Sequence, residues 1–159
     1  MFTLRLFGVK NDSIVDGDGI RYTIFTQGCP HKCDGCHNPE SWDMLGGYDE
    51  DIRRLYDEIT ANPLLDGVTF SGGEPFLQAK ALSLLGAMIK EETDLNIITY
   101  TGFTFKELEK MADDGNKFRD LIDISDIIID GRFEKDRADT GLAFRGSSNQ
   151  NVIRLASSQ

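Results

Sequence analysis

Apolar and polar positions along this chain fall into short stretches of two different periods. Phe2–Gly8 (FTLRLFG) and Ile20–Gln27 (IRYTIFTQ) are rich in β-branched and aromatic residues and end in glycine or turn chemistry, so each predicts a strand. The stretch Gly28–Gly47 has neither period and reads as a loop. Asp51–Thr60 then places Ile52, Leu55, Tyr56 and Ile59 at helical spacing. Beyond it the two periods alternate. Strands are predicted at Gly67–Phe70 (GVTF), Leu95–Tyr100 (LNIITY) and Asp126–Asp130 (DIIID), with a final short one at Asn151–Leu155. Helices are predicted near Leu77–Glu91 and Phe105–Ala112, with a shorter one over Lys117–Leu121.

Strands alternating with helices imply βαβ units and a parallel sheet. A closed barrel of eight such units typically needs about 250 residues. A chain of 159 residues is expected instead to form one α/β domain over residues 1–159, an open, partial (β/α) barrel of five or six mostly parallel strands. The segments SGGEP, TYTG and IDGRF, and the loop after Gln27, all follow predicted strands, so they gather at one rim of the sheet, where ligands bind.

Composition narrows the function classes. The net charge of −10 disfavours nucleic acid, whose phosphates such a surface repels. No apolar run approaches the roughly 20 residues that span a bilayer, and the first residues lack the apolar core of a secretory signal. A cytoplasmic location is the expectation. All three cysteines and both histidines lie between Cys29 and His37. An odd number of thiols packed so closely is a poor disulfide framework and points to metal or redox chemistry.

The cluster loop is placed near residues 28–40 and reads Cys29-Pro-His-Lys-Cys33-Asp-Gly-Cys36, or C-x3-C-x2-C. Thiolates are soft ligands for iron–sulfur clusters, zinc or copper(I). Three of them can hold three irons of a cubane and leave the fourth iron open, because the chain has no further cysteine. The other reading is a non-catalytic zinc module with His31 or His37 as fourth ligand, although structural zinc usually takes two separated ligand pairs. An EF-hand reading of Asp16-Gly-Asp-Gly fails, since its first and twelfth ligand positions would be Ile14 and Phe25.

C-x3-C-x2-C followed by a strand-end Gly72-Gly73-Glu74-Pro75 resembles the radical S-adenosylmethionine (SAM) superfamily. The resemblance implies a [4Fe-4S] cluster on Cys29, Cys33 and Cys36. It also implies SAM chelated at the open iron, with Gly72, Gly73 and Glu74 receiving its methionyl amino group. Several strings resemble the branch that activates anaerobic (class III) ribonucleoside-triphosphate reductases. Ser13-Ile-Val-Asp-Gly-Asp-Gly-Ile-Arg21 resembles its S-x-V-x-G-P-G-x-R lead-in, with Asp18 in place of proline. Gly35 stands where many radical SAM enzymes carry an aromatic residue but where this branch commonly has glycine, and Cys36-His37-Asn38-Pro39 resembles its C-H-N-P. Ile129-Asp130-Gly131-Arg132-Phe133 resembles its D-G-x-F strand end, and Arg145-Gly-Ser-Ser-Asn-Gln150 matches its R-G-S-S-N-Q.

What this branch implies is hydrogen abstraction from a glycine of the partner reductase, with an external reductant such as flavodoxin. It further implies SAM contacts from Gly35, Cys36 and His37, from Asp130 and Arg132, and from Ser147 and Asn149. His37 would pack near the adenine and Arg132 would meet the carboxylate. Other small radical SAM enzymes, of the pyruvate formate-lyase activase or 7-carboxy-7-deazaguanine synthase type, are the nearest alternatives.

Overall fold

The computed structural model describes residues 2–15, 17–31, 39–132, 134–137, 145 and 147–155, without the side chains of Ser41 and Lys135. Its strands are β1 (Thr3–Ser13), β2 (Arg21–Thr26), β3 (Tyr48–Asp51), β4 (Gly67–Gly72), β5 (Asn96–Tyr100), β6 (Ile127–Asp130) and β7 (Asn151–Arg154). Its helices are α1 (Ile52–Thr60), α2 (Ala79–Glu92), α3 (Phe105–Met111) and α4 (Phe118–Ile124). The strands form one mixed sheet in the order β3-β1-β2-β4-β5-β6-β7.

The centre of the sheet is the parallel block expected from the alternation, with β2–β4, β4–β5 and β5–β6 all parallel. The three outer pairings, β1–β2, β1–β3 and β6–β7, are antiparallel. A mixed α/β sheet of seven strands therefore replaces the expected five or six. The additional strand is β3, whose Tyr-Asp-Glu-Asp has no apolar alternation to announce it. It is held by backbone pairing of Thr3–Leu6 with Tyr48–Asp51, which needs no buried side chains. β1 likewise runs past Gly8, because Val9 and Lys10 pair with Ile24 and Thr23 after one register shift and Ser13 pairs with Arg21 after a second.

Helix ends follow local chemistry. The Asp51 side chain accepts from the Arg53 amide and caps α1. Glu74 and Pro75 start a 3-10 turn, Pro75–Gln78, that leads into α2. Thr104 and Glu107 form a capping box on α3.

All four helices bury their apolar sides on one face of the sheet. Leu55, Ile59, Leu82, Leu85, Leu108 and Leu121 pack with Leu4, Leu6, Ile24, Phe70, Ile97 and Ile128 in the main core. Ile98, Ile127 and Ile129 belong to a second, smaller cluster with Tyr100 and Val152. Strand alternation places these on the opposite face. Arg21 also lies wholly buried there, at the start of β2. Its guanidinium donates to Thr69 Oγ1 (2.6 Å), to the Val68 carbonyl (2.8 Å) and to the Asp18 carbonyl (2.8 Å). Burial pulls its pKa below the ordinary arginine value, partly offset by Tyr100, Asp18 and other nearby acids. The S-x-V-x-G string thus ends in an arginine that ties together the end of the sheet remote from the cysteine loop.

Candidate functional site

The C-terminal ends of β2 and β4 are adjacent, and their pairing continues past both strands. Beyond Thr26, paired with Gly72, the Gly73 amide donates to the Thr26 carbonyl (2.8 Å) and the Glu74 amide to the Gly28 carbonyl (2.7 Å). This approach requires glycine. Gly72 has φ +102°, and a Cβ on it would collide with the Thr26 backbone, while a Cβ on Gly73 would collide with the Gly28 carbonyl. Gly28 itself has φ +103°. Cys29 follows at once, buried, with its amide donating to the Trp42 carbonyl (3.2 Å). The first thiol of the C-x3-C-x2-C loop and the SGGEP strand end are therefore direct neighbours. Cys33, Gly35, Cys36 and His37 lie outside the described residues.

Glu74 is fully buried, and four donors converge on its carboxylate. Oε1 accepts from His31 Nε2 (2.6 Å) and the Gly102 amide (2.7 Å). Oε2 accepts from the Thr101 hydroxyl (2.8 Å) and the Phe76 amide (3.1 Å). These donors come from the cysteine loop, the turn after β5 and the turn after β4, so one side chain ties three rim segments together. Thr101 and Gly102 belong to the TYTG segment, which the alternation places at the rim without giving either residue a role. Their role depends on contacts remote in sequence, and the strand-end glycine was the available signal.

The end of β6 forms the next part of the rim. Asp130 is buried and accepts from the Phe105 amide (2.7 Å) and the Asn151 amide (3.1 Å), which fixes the start of α3 and of β7. Arg132 donates from Nε to His31 Nδ1 (3.1 Å). Residues 147–150 of the R-G-S-S-N-Q segment are strapped across this strand end. Asn149 Nδ2 donates to the Arg132 carbonyl (2.9 Å) and Gln150 Nε2 to the Gly131 carbonyl (2.9 Å). Ser147 is buried, with its hydroxyl accepting from the Glu134 amide (3.1 Å). A cavity of about 380 Å³ opens here, lined by His31, Thr104, Asp130, Arg132, Glu134 and Asn149 among others. Asn149 Oδ1 is a buried acceptor with no partner among the described residues.

The described part of the site suits a cluster-and-ligand pocket. A buried thiol stands at the mouth of a thiol-rich loop, two glycines leave the backbone open to close approach, and polar groups line the neighbouring cavity. Comparison with known proteins agrees. Residues 15–153 match the family model of a 4Fe-4S single cluster domain. The anaerobic ribonucleoside-triphosphate reductase-activating protein of Pasteurella multocida is 38% identical over 150 residues, covering 89% of this chain and 92% of that protein. The chain belongs to this family of reductase-activating proteins.

The activating protein of Vibrio cholerae is 35% identical over 151 residues, with 89% of this chain and 92% of that protein covered. The pyruvate formate-lyase-activating enzyme of Clostridium pasteurianum is 34% identical over 134 residues, which is 80% of this chain but 55% of that enzyme. Among the described residues no helix is long and apolar enough to cross a membrane.

Proposed function

We propose that this chain is the glycyl radical activase of an anaerobic ribonucleoside-triphosphate reductase, with a [4Fe-4S] cluster on Cys29, Cys33 and Cys36. The observation that carries the reading is the contact between Gly28-Cys29 and Gly72-Gly73-Glu74 at the ends of adjacent parallel strands. The donor set fits the group: three thiols in one short loop and no fourth cysteine in the chain. When bound and reduced, such a cluster supplies the electron that splits SAM into methionine and a 5′-deoxyadenosyl radical, which takes a hydrogen atom from a glycine Cα. Radical chemistry of this kind belongs to the cofactor, and the protein contributes position and exclusion.

The residues of this chain divide that work. The strand-end glycines bring backbone close to the methionyl amino group. Glu74 holds the segment in place through its four donors rather than standing free toward a ligand. Arg132 offers a guanidinium for the methionyl carboxylate, while Ser147 and Asn149 shape the far wall through the strap on β6. Gly35, Cys36 and His37 are assigned the adenine side of the pocket on the family pattern. Residues 1–159 act as one radical SAM domain, a partial barrel with its helices outside. The burial of Arg21, Ile98 and Ile129 on the helix-free face supports that curvature. The cytoplasm and a flavodoxin-like reductant complete the proposal.

The length of the match favours a ribonucleotide reductase over pyruvate formate-lyase as partner, since the alignment takes up 92% of the reductase activators and 55% of the lyase activase. The zinc alternative is disfavoured at His31, both of whose ring nitrogens are engaged by Glu74 and Arg132. The test is anaerobic: reconstitute the cluster, add reductant, SAM and a class III reductase, and record the EPR spectrum. A glycyl radical doublet on the reductase, absent with Cys33→Ala, is the expected result. SAM cleaved without a doublet refutes the partner, and neither a cluster signal nor cleavage refutes the activity.

A further inference from the structure

His31 lies two residues past Cys29, inside the cysteine motif, yet its contacts lead away from any metal. Its side chain is 4% exposed. Nε2 lies 2.6 Å from Glu74 Oε1, and Nδ1 receives the Arg132 Nε hydrogen at 3.1 Å. Arginine can only donate, so Nδ1 is the acceptor and Nε2 carries the hydrogen given to Glu74. The ring also meets Phe103 edge-on, with centroids 4.6 Å apart and planes at 82°. It fits because residue 102 is glycine: a Cβ at Gly102 would collide with the imidazole. Two polar bonds, an aromatic wall and a glycine notch thus fix the ring in one orientation.

We infer that His31 is a positioning residue, which pins the first turn of the cysteine loop to Glu74 and Arg132 and thereby sets Cys29 at a fixed distance from the SAM-binding strand end. The inference rests on the SAM reading above. A loop tethered before its ligand arrives loses less conformational freedom on binding, and preorganisation of this kind is read as affinity. The thiolates hold the metal, so removing the ring leaves metal content alone and weakens SAM instead. Because Glu74 also holds Gly102 and Phe76, the same substitution loosens those two amides even in the metal-free chain.

The test uses the full chain with His31→Ala and His31→Gln, reconstituted anaerobically. Iron and labile sulfide per chain are expected to match wild type in both. The SAM concentration that half-converts the EPR signal of the reduced cluster is expected to rise about tenfold with His31→Ala, equivalent to about 1.4 kcal/mol. His31→Gln, whose amide nitrogen reaches Glu74 as Nε2 does, is expected to recover most of that loss. In the metal-free chain, amide exchange at Gly102 and Phe76 is expected to quicken by about tenfold with His31→Ala, reporting local opening. Unchanged SAM affinity, or loss of about one iron in four, overturns the inference. If His31→Ala does not fold, Arg132→Ala replaces it: faster Gly102 exchange supports the tether, and an unchanged rate overturns it. A wild-type chain that binds no SAM overturns the proposed function, and the exchange rates then decide the tether by themselves.

Discussion

Replacing Glu74 by glutamine tests the central claim about the rim, because the new side chain has the same shape and different hydrogen-bonding sense. The native carboxylate accepts from four groups and is fully buried. An amide has one oxygen and one NH2. With NH2 at the Oε2 position it faces the Phe76 amide, and at the Oε1 position it faces the Gly102 amide. Thr101 can turn its hydroxyl to accept, but a backbone N–H cannot. His31 cannot exchange roles either, since Nδ1 is committed to Arg132. The first orientation leaves one buried N–H unpaired and the second leaves two, so the glutamine settles in the first, at about 1–3 kcal/mol. The bonds that remain lose their charge assistance, at about 1 kcal/mol more. The expected loss is about 2–4 kcal/mol, a large part of the roughly 5–15 kcal/mol that holds a domain together. Urea unfolding of the metal-free chain is the assay. At a slope of about 2 kcal/mol/M the midpoint should fall by roughly 1–2 M with the slope unchanged. A fall under about 0.3 M would refute the four-donor account.

Further outcomes follow from other parts of the molecule. Gly72→Ala forces a side chain onto a positive φ and against the Thr26 backbone, so it should cost about 2 kcal/mol or more and lower the melting temperature by about 4–8 °C by calorimetry. Cys29→Ala, Cys33→Ala and Cys36→Ala should each deplete iron, labile sulfide and SAM cleavage in anaerobically purified protein; full retention in any of them removes that residue from the ligand set. The Thr104 amide holds the Glu107 carboxyl below its ordinary pKa. A group depressed in the folded state stabilises above its unfolded pKa and ceases to as pH falls through the folded value. The stability difference between wild type and Glu107→Gln, followed by urea unfolding across acidic pH, should therefore shrink as pH drops below the ordinary carboxylate range.

The fold was legible where burial dictates pattern. The parallel strands are largely buried on both faces: β5 and β6 carry the apolar runs Ile97-Ile98 and Ile127–Ile129, while β2 and β4 alternate apolar residues with Arg21, Thr23 and Thr69. Helices α1 to α4 fall within a few residues of their predicted spans. β3 was not legible, since a charged edge strand of four residues is made by its neighbour's backbone and leaves no periodic trace. At the site, the thiol loop and the double glycine stood out because few side chains suit those chemistries. The strand-end grouping predicted for SGGEP, TYTG and IDGRF matches the rim that the structure assembles. What Glu74, Thr101, Gly102 and His31 do there was hidden, because hydrogen bonds between residues 27 to 43 positions apart follow from topology and not from spacing. Gln150 escaped in the same way: its amide bonds the Gly131 carbonyl from the far side of the strap.

The two margins of the sheet have a bearing on how separate molecules treat one another. Both are four-residue strands, Tyr48–Asp51 on one side and Asn151–Arg154 on the other. A longer unpaired margin would be a template onto which another chain could add its own strand, and repetition of that step builds fibrils. Here each margin offers only a few hydrogen bonds, and one of them carries three consecutive carboxylates. Two copies meeting along that side would bring like charges together before any ladder could form. Crowded synthesis of this protein should therefore favour separate molecules over stacked ones.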